Sequence, residues 1–228
     1  MFNALAAALP VDFLKGLGSA APHLFEEAFN EVSHSAVIDP SQVPVLVPHV
    51  RRAMFETQFK RQAIDAGLKA YVRPTKKGGG NFTVVEAGKF VFTASFVPTR
   101  GHAVRSADFR TEHSALNELL DQGVLFENEE EVPNLPNEVI AESEAIYGIL
   151  LYGGDLSGKS NFFMEFAIPE VNGTGYVDHY SFLDVLMAAQ ELVAPASDLK
   201  VQGPVPTLKP HAVPKVGKKD GTTDTDKT

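Results

Sequence analysis

The chain has 228 residues, 44% of them hydrophobic, with 16 Phe, no Trp and a formal net charge of −9. That length suits one domain with appendages, and the apolar fraction is enough for a real core. Having no Cys, the chain is excluded from disulfide, thiolate-metal and Cys-nucleophile chemistry.

The N-terminal apolar run at residues 4–9 has no basic residue before it, which argues against a signal peptide. No apolar run reaches the roughly 18 residues of a membrane span. A cytoplasmic protein without a membrane partner is the expectation.

Residues 1–38 predict a helical N-terminal element of two short helices. Phe2, Leu5, Leu9 and Phe13 recur at helical spacing, as do Leu24, Phe25, Ala28, Phe29 and Val32, with Pro22 near the second start. Residues 39–47 read as a linker. A helix then runs from Pro48 to Gly67, with Val50, Met54, Phe55, Phe59, Ala63 and Ala66 on one face. Three strands follow at 68–73, 82–86 and 90–97, joined by the KKGGGN turn and by a short turn at Ala87-Gly88.

Beyond a polar stretch, Phe109, Leu116, Leu119 and Leu120 mark a helix that stops at Gly123. A loop rich in Glu and Pro leads to two strands, 145–152 and 162–168. A last helix covers about 182–192, with Ser181 as its N-cap. Residues 195–228 hold several Pro and end in KKDGTTDTDKT, the composition of a flexible tail. The fold class expected is α+β. A mainly antiparallel sheet is built from two hairpin groups, 68–97 and 145–168, flanked by helices in one domain over 1–194.

Charge is segregated. Residues 51–113 carry 12 Lys+Arg against 5 Asp+Glu, a net of +7, whereas residues 114–199 carry one basic residue against 16 acids, a net of −15. The two halves can be neighbours whose surface charges compensate, in pairs each worth about 0–1 kcal/mol. Alternatively, the basic segment forms a face for phosphate or an acidic partner, protein or nucleic acid. Arg51, Arg52, Arg61, Arg73, Lys76, Lys77, Arg100, Arg105 and Arg110 are the candidate contacts. Glu127, Glu129, Glu130, Glu131, Glu138, Glu142 and Glu144 are the candidate acidic patch.

Residues 153–160, GGDLSGKS, fit GxxxxGK[ST] and follow an apolar strand. Over those eight residues the chain resembles the phosphate-binding loop of P-loop nucleotide hydrolases. The resemblance implies that Gly158 and Lys159 cradle phosphates and that Ser160 holds Mg²⁺. The following residues, NFFMEFAIP, read as a strand where a P-loop requires a helix. A glycine-rich hairpin loop is therefore the competing reading.

A third class is a metal-dependent nuclease or phosphodiesterase, in which carboxylates converge on Mg²⁺ beside a Lys. Its candidates are Glu86 and Lys89 at a hairpin turn, with Glu56 on the preceding helix and Asp108 and Glu112 one turn apart on a later one. Glu86-x-x-Lys89 lacks the tighter spacing of restriction-like nucleases. No HxH or HExxH pair is present, so no zinc site is expected. Asp178-His179 is a possible proton-handling pair. The leading functional reading is a non-catalytic binding or regulatory protein that acts through the basic face, the acidic face or both, and needs no cofactor.

Overall fold

Six strands form one sheet in the order β1-β2-β3-β4-β5-β6. They are β1 (Lys69–Pro74), β2 (Asn81–Ala87), β3 (Phe90–Phe96), β4 (Ile146–Gly153), β5 (Phe163–Pro169) and β6 (Tyr176–Ser181). The computed structural model describes residues 1–76, 80–118, 145–157, 161–173 and 175–194. Among the described residues five helices accompany the sheet: α1 (Phe2–Ala8), α2 (Val11–Ser33), α3 (Val43–Asp65), α4 (Asp108–Ser114) and α5 (Phe182–Val193). The class is α+β, as the hydrophobic periodicity predicts.

The sheet is two antiparallel groups fused along one parallel seam. β1, β2 and β3 form a meander; β4, β5 and β6 form another. β3 runs parallel to β4, with Phe90 opposite Ile146 and Phe96 opposite Tyr152. Period-2 alternation assigns each strand two faces. On the first face Val85, Phe90, Phe92, Leu150, Tyr152 and Phe166 meet Phe13, Leu17, Phe25, Phe55 and Phe59 from α2 and α3. The Phe55 and Tyr152 rings stack with centroids 3.6 Å apart, and burial drives the Tyr152 phenol pKa well up. On the second face Val97, Tyr147, Ile149, Leu151, Phe163 and Ala167 form a smaller core. Being buried on both faces, β4 reads as an unbroken apolar run rather than an alternation.

Two helices run further than the sequence suggests. α2 continues through Pro22 and α3 through Pro48, whereas the sequence reading placed Pro22 near a helix start, Pro48 at one, and a linker at 39–47. An internal Pro costs about 3 kcal/mol. α2 offsets this by burying Phe13, Leu14, Leu17, Phe25 and Val32, each worth about 1.5–3 kcal/mol. Residues 40–42 form a single 3-10 turn in which Asp39 Oδ1 accepts the Ser41 N–H at 2.8 Å. The helix expected from Phe109 to Gly123 is α4 followed by a 3-10 turn, Ala115–Asn117; residues 119–144 lie outside the described set, as does the proposed tail. The sequence reading assigned no strand to β6. Ser181 closes that strand directly before α5.

Candidate functional site

Part of the basic segment gathers at one end of the sheet, where β1 leaves and β2 enters. Two hollows of about 500 and 430 Å³ meet there and share Arg52. The first lies between α3 and the start of β2, lined by His49, Glu56, Lys60 and Thr83. The second lies between the end of β1 and the 105–110 segment, lined by Lys76, Arg105, Asp108 and Arg110. Arg52 is placed by α3, and its Nη2 donates to the Asn81 carbonyl at 3.2 Å. Lys76 ion-pairs with Glu112 on α4. Arg52, Lys60 and Arg105 make no ion pair among the described residues.

Arg110 is the unusual member. Its Nη1 donates to the Arg105 carbonyl at 2.6 Å and its Nη2 to Ser95 Oγ at 2.9 Å. Its Nε is buried without a partner, and it too lacks an ion pair among the described residues. Burial pushes the Arg110 pKa down. Behind the groove, Glu56 Oε2 accepts the Thr83 N–H at 2.7 Å. Burial raises the Glu56 pKa, against the pull of Thr83, Arg52 and Arg110. The groove is therefore a basic rim over a desolvated guanidinium and a desolvated carboxyl. Burying a charge without a direct counter-ion is costly, so an anion in the groove would relieve Arg110.

The remaining basic candidates disperse. Arg51 is buried; its guanidinium lies 4.0 Å from the Phe25 centroid and its Nη2 donates to the Asp155 and Leu156 carbonyls at 3.0 and 2.7 Å. It is a strut for the loop after β4 and is withdrawn from any ligand. Arg61 pairs with Asp65 one turn on. Arg73 sits over the Tyr71 ring. Arg100 donates to Glu165 on β5. Lys77 lies outside the described residues, as do residues 127–144 of the acidic patch.

The five nuclease candidates form no single centre; Glu56 and Asp108 line different lobes of the groove. Glu86 receives Lys69 Nζ at 2.9 Å and the Tyr71 hydroxyl at 2.9 Å, and its pKa falls, chiefly through Lys69. It stands five residues along β2 from Asn81, roughly 16 Å at about 3.3 Å per residue, so it is remote from the groove that Asp108 lines. The Lys89 carbonyl accepts the Ile146 N–H. Glu112 holds Lys76. Among the described residues no group of three or more His, Asp or Glu could hold a metal ion.

Gly158, Lys159 and Ser160 lie outside the described residues, but the flanks of their motif are clear. β4 precedes it and β5, a strand antiparallel to β4, follows it, so no helix N-terminus opens behind the motif. Its first two glycines have packing reasons. A Cβ on Gly153 would lie 2.3 Å from the Val97 carbonyl oxygen, and one on Gly154 would lie 3.2 Å from the Phe25 ring.

Sequence reasoning missed two polar centres on the second face. Asn117 is fully buried and bonds three backbone groups of β4 and β5. Glu165, 4% exposed, sits between Arg100 and His179. His179 Nε2 lies 3.0 Å from Glu165 Oε2, but off the line of a hydrogen bond, which leaves that oxygen without one. The partner of His179 is thus Glu165 across the sheet rather than its neighbour Asp178, which hydrogen-bonds Tyr180. The unbroken apolar letters around Glu165 gave some signal that its carboxylate is buried; nothing local pairs it with residue 179.

No protein-family model, curated protein or solved structure matches the chain. Among the described residues no single helix is long and apolar enough to cross a membrane; α1 and α2 pass that test only together and are bent by 89° at their junction.

Proposed function

We propose that this is a non-catalytic binding or regulatory protein that takes an acidic partner protein into the two-lobed groove around Arg52. The observation that carries the reading is Arg110, a desolvated guanidinium lining the groove without an ion pair among the described residues. Arg52, Lys60 and Arg105 supply further positive charge around it. A carboxylate or phosphate arriving there meets the exposed Arg52 and Arg105 guanidiniums, with the charge of Arg110 beneath them.

An acidic polypeptide is favoured over a nucleic acid by the state of the groove's aromatic rings. Phe82 is 3% exposed and stacks on Phe109 at 4.1 Å, so Phe82 is buried and one face of Phe109 is covered. Single-strand binders offer bare rings for base stacking.

The test is fluorescence anisotropy of a labelled poly-glutamate peptide and of a single-stranded oligonucleotide, each at about 50 and 300 mM salt. The peptide is expected to bind, to weaken with salt, and to weaken at least tenfold in Arg52→Glu/Arg105→Glu. Affinity indifferent to both salt and charge reversal would refute the groove. Tighter binding of the oligonucleotide would reassign the partner.

A further inference from the structure

A second concave site lies elsewhere on the molecule and shares no residue with the Arg52 groove. It is a hollow of about 400 Å³ between the first half of α2, the start of β5 and the start of α5. Phe162, Phe163, Met164, Phe182, Leu183 and Leu186 supply apolar walls. Leu183, 59% exposed, stands on its lip with its side chain uncovered. On α2, Gly18 and Ser19 leave the opposite wall low.

The charge on this hollow is one-sided. Among the described residues Lys15 and Arg100 are its only charged lining residues, and both are cationic, although the chain as a whole is −9. Lys15 is exposed and makes no ion pair among the described residues. Arg100 gives one nitrogen to Glu165 Oε1 at 3.3 Å, lies over the Phe163 ring and keeps a 64% exposed side chain. Its other nitrogen donors are therefore open to a ligand.

From this we infer a binding site for a small amphipathic carboxylate, a single anionic head on a hydrocarbon body. The body lies on the Phe and Leu walls and the head reaches Lys15 and Arg100. Ligand pockets are mostly apolar with a few placed polar groups, and run upward from about 300 Å³. A carboxylate with an eight-carbon chain matches that size. A cationic amphiphile would set its head against two like charges, and a neutral one would leave both cations unused.

The experiment is calorimetric titration of the full chain with octanoate, octylammonium and 1-octanol, below their aggregation limits. Octanoate is expected to bind at least tenfold more tightly than either of the others. Lys15→Glu should weaken octanoate at least threefold and strengthen octylammonium. Ser19→Trp, which fills the hollow from an exposed position, should abolish octanoate binding; should it fail to fold, Leu183→Glu on the lip is expected to do the same. Arg52→Glu/Arg105→Glu should leave octanoate binding unchanged, which separates this site from the basic groove. No octanoate binding by the wild type, equal affinity for all three probes, or unchanged octanoate binding in Lys15→Glu would each overturn the inference. So would dimerisation of the wild type that Ser19→Trp removes, which would make the hollow an interface between copies.

Discussion

Replacing Asn117 with Ala tests the structure where β4 and β5 part. The antiparallel register places Ile149 opposite Ala167, and two steps on it would place Tyr147 opposite Pro169. Pro169 has no N–H to give, so the ladder cannot close there with backbone alone. The Asn117 amide fills the gap: its Nδ2 donates to the Tyr147 carbonyl at 3.1 Å and to the Pro169 carbonyl at 2.7 Å, and its Oδ1 accepts the Tyr147 N–H at 2.8 Å. Three buried bonds at about 1 kcal/mol each, with the added cost of stranding their backbone partners, give an expected loss of about 3–5 kcal/mol. For a unit of this size each kcal/mol lowers Tm by about 2–4 °C, so a fall of roughly 6–20 °C is expected. Urea unfolding of Asn117→Ala beside Leu116→Ala, whose side chain is 41% exposed, gives the comparison. A loss below about 1 kcal/mol in Asn117→Ala would refute the reasoning, because water would then be serving the three backbone groups equally well.

Glu56→Gln keeps an acceptor for Thr83 and removes a charge that burial disfavours. Because the folded state raises the Glu56 pKa, its contribution to stability is complete below the ordinary carboxyl value and is lost as pH rises through the folded value. Glu56→Gln should therefore match the wild type at about pH 4, near the ordinary Glu pKa, and melt higher at neutral pH; a difference that ignores pH would contradict this. Arg51→Met keeps the contact with Phe25 but drops both bonds to the 155–156 carbonyls. It should cost about 1–3 kcal/mol and speed hydrogen exchange at 154–157, and unaltered exchange there would count against the strut. Gly148→Ala would bring a Cβ within 2.4 Å of Phe92 Cε1, and urea unfolding should show a loss of about 1–3 kcal/mol from overpacking.

The central strands were legible because their letters carry their burial. Phe90, Phe92 and Phe96 alternate along β3, and β4 is an apolar run closed by Gly153. β6 was not, because it is a half-exposed edge strand whose Asp178, His179 and Ser181 read as a loop before a helix. The long helices through Pro22 and Pro48 were hidden for a different reason. Local propensity argues for breaks there, and only tertiary burial on α2 and α3 outweighs it. The parallel seam between β3 and β4 depends on pairing across the 49 residues 97–145 of intervening chain, for which no local signal exists. At the basic groove, residue type was legible and geometry was not. Arg52, Arg105 and Arg110 share a letter, yet the fold exposes Arg52 and Arg105 on the rim and desolvates Arg110. Arg51, adjacent to Arg52, turns inward by the 100° that separates neighbours on a helix and becomes part of the core.

That last point bears on why the charges are segregated at all. If basic and acidic halves existed chiefly to compensate each other, ion pairs would cross between them. Among the described residues, Arg61–Asp65, Lys69–Glu86 and Lys76–Glu112 all fall within the basic segment, and Arg100–Glu165 alone joins it to the acidic one. The basic segment thus uses its own few acids to fix its turns and edge strand. Among the described residues Arg52, Lys60 and Arg105 make no ion pair around a groove whose deepest cation, Arg110, hydrogen-bonds the Arg105 carbonyl and Ser95 Oγ. Exposed pairs are worth little each, so pairing alone gives no reason to gather these cations at one groove. An anion held by the Arg52 and Arg105 rim above Arg110 would give that reason, and the salt and charge-reversal experiment measures it directly.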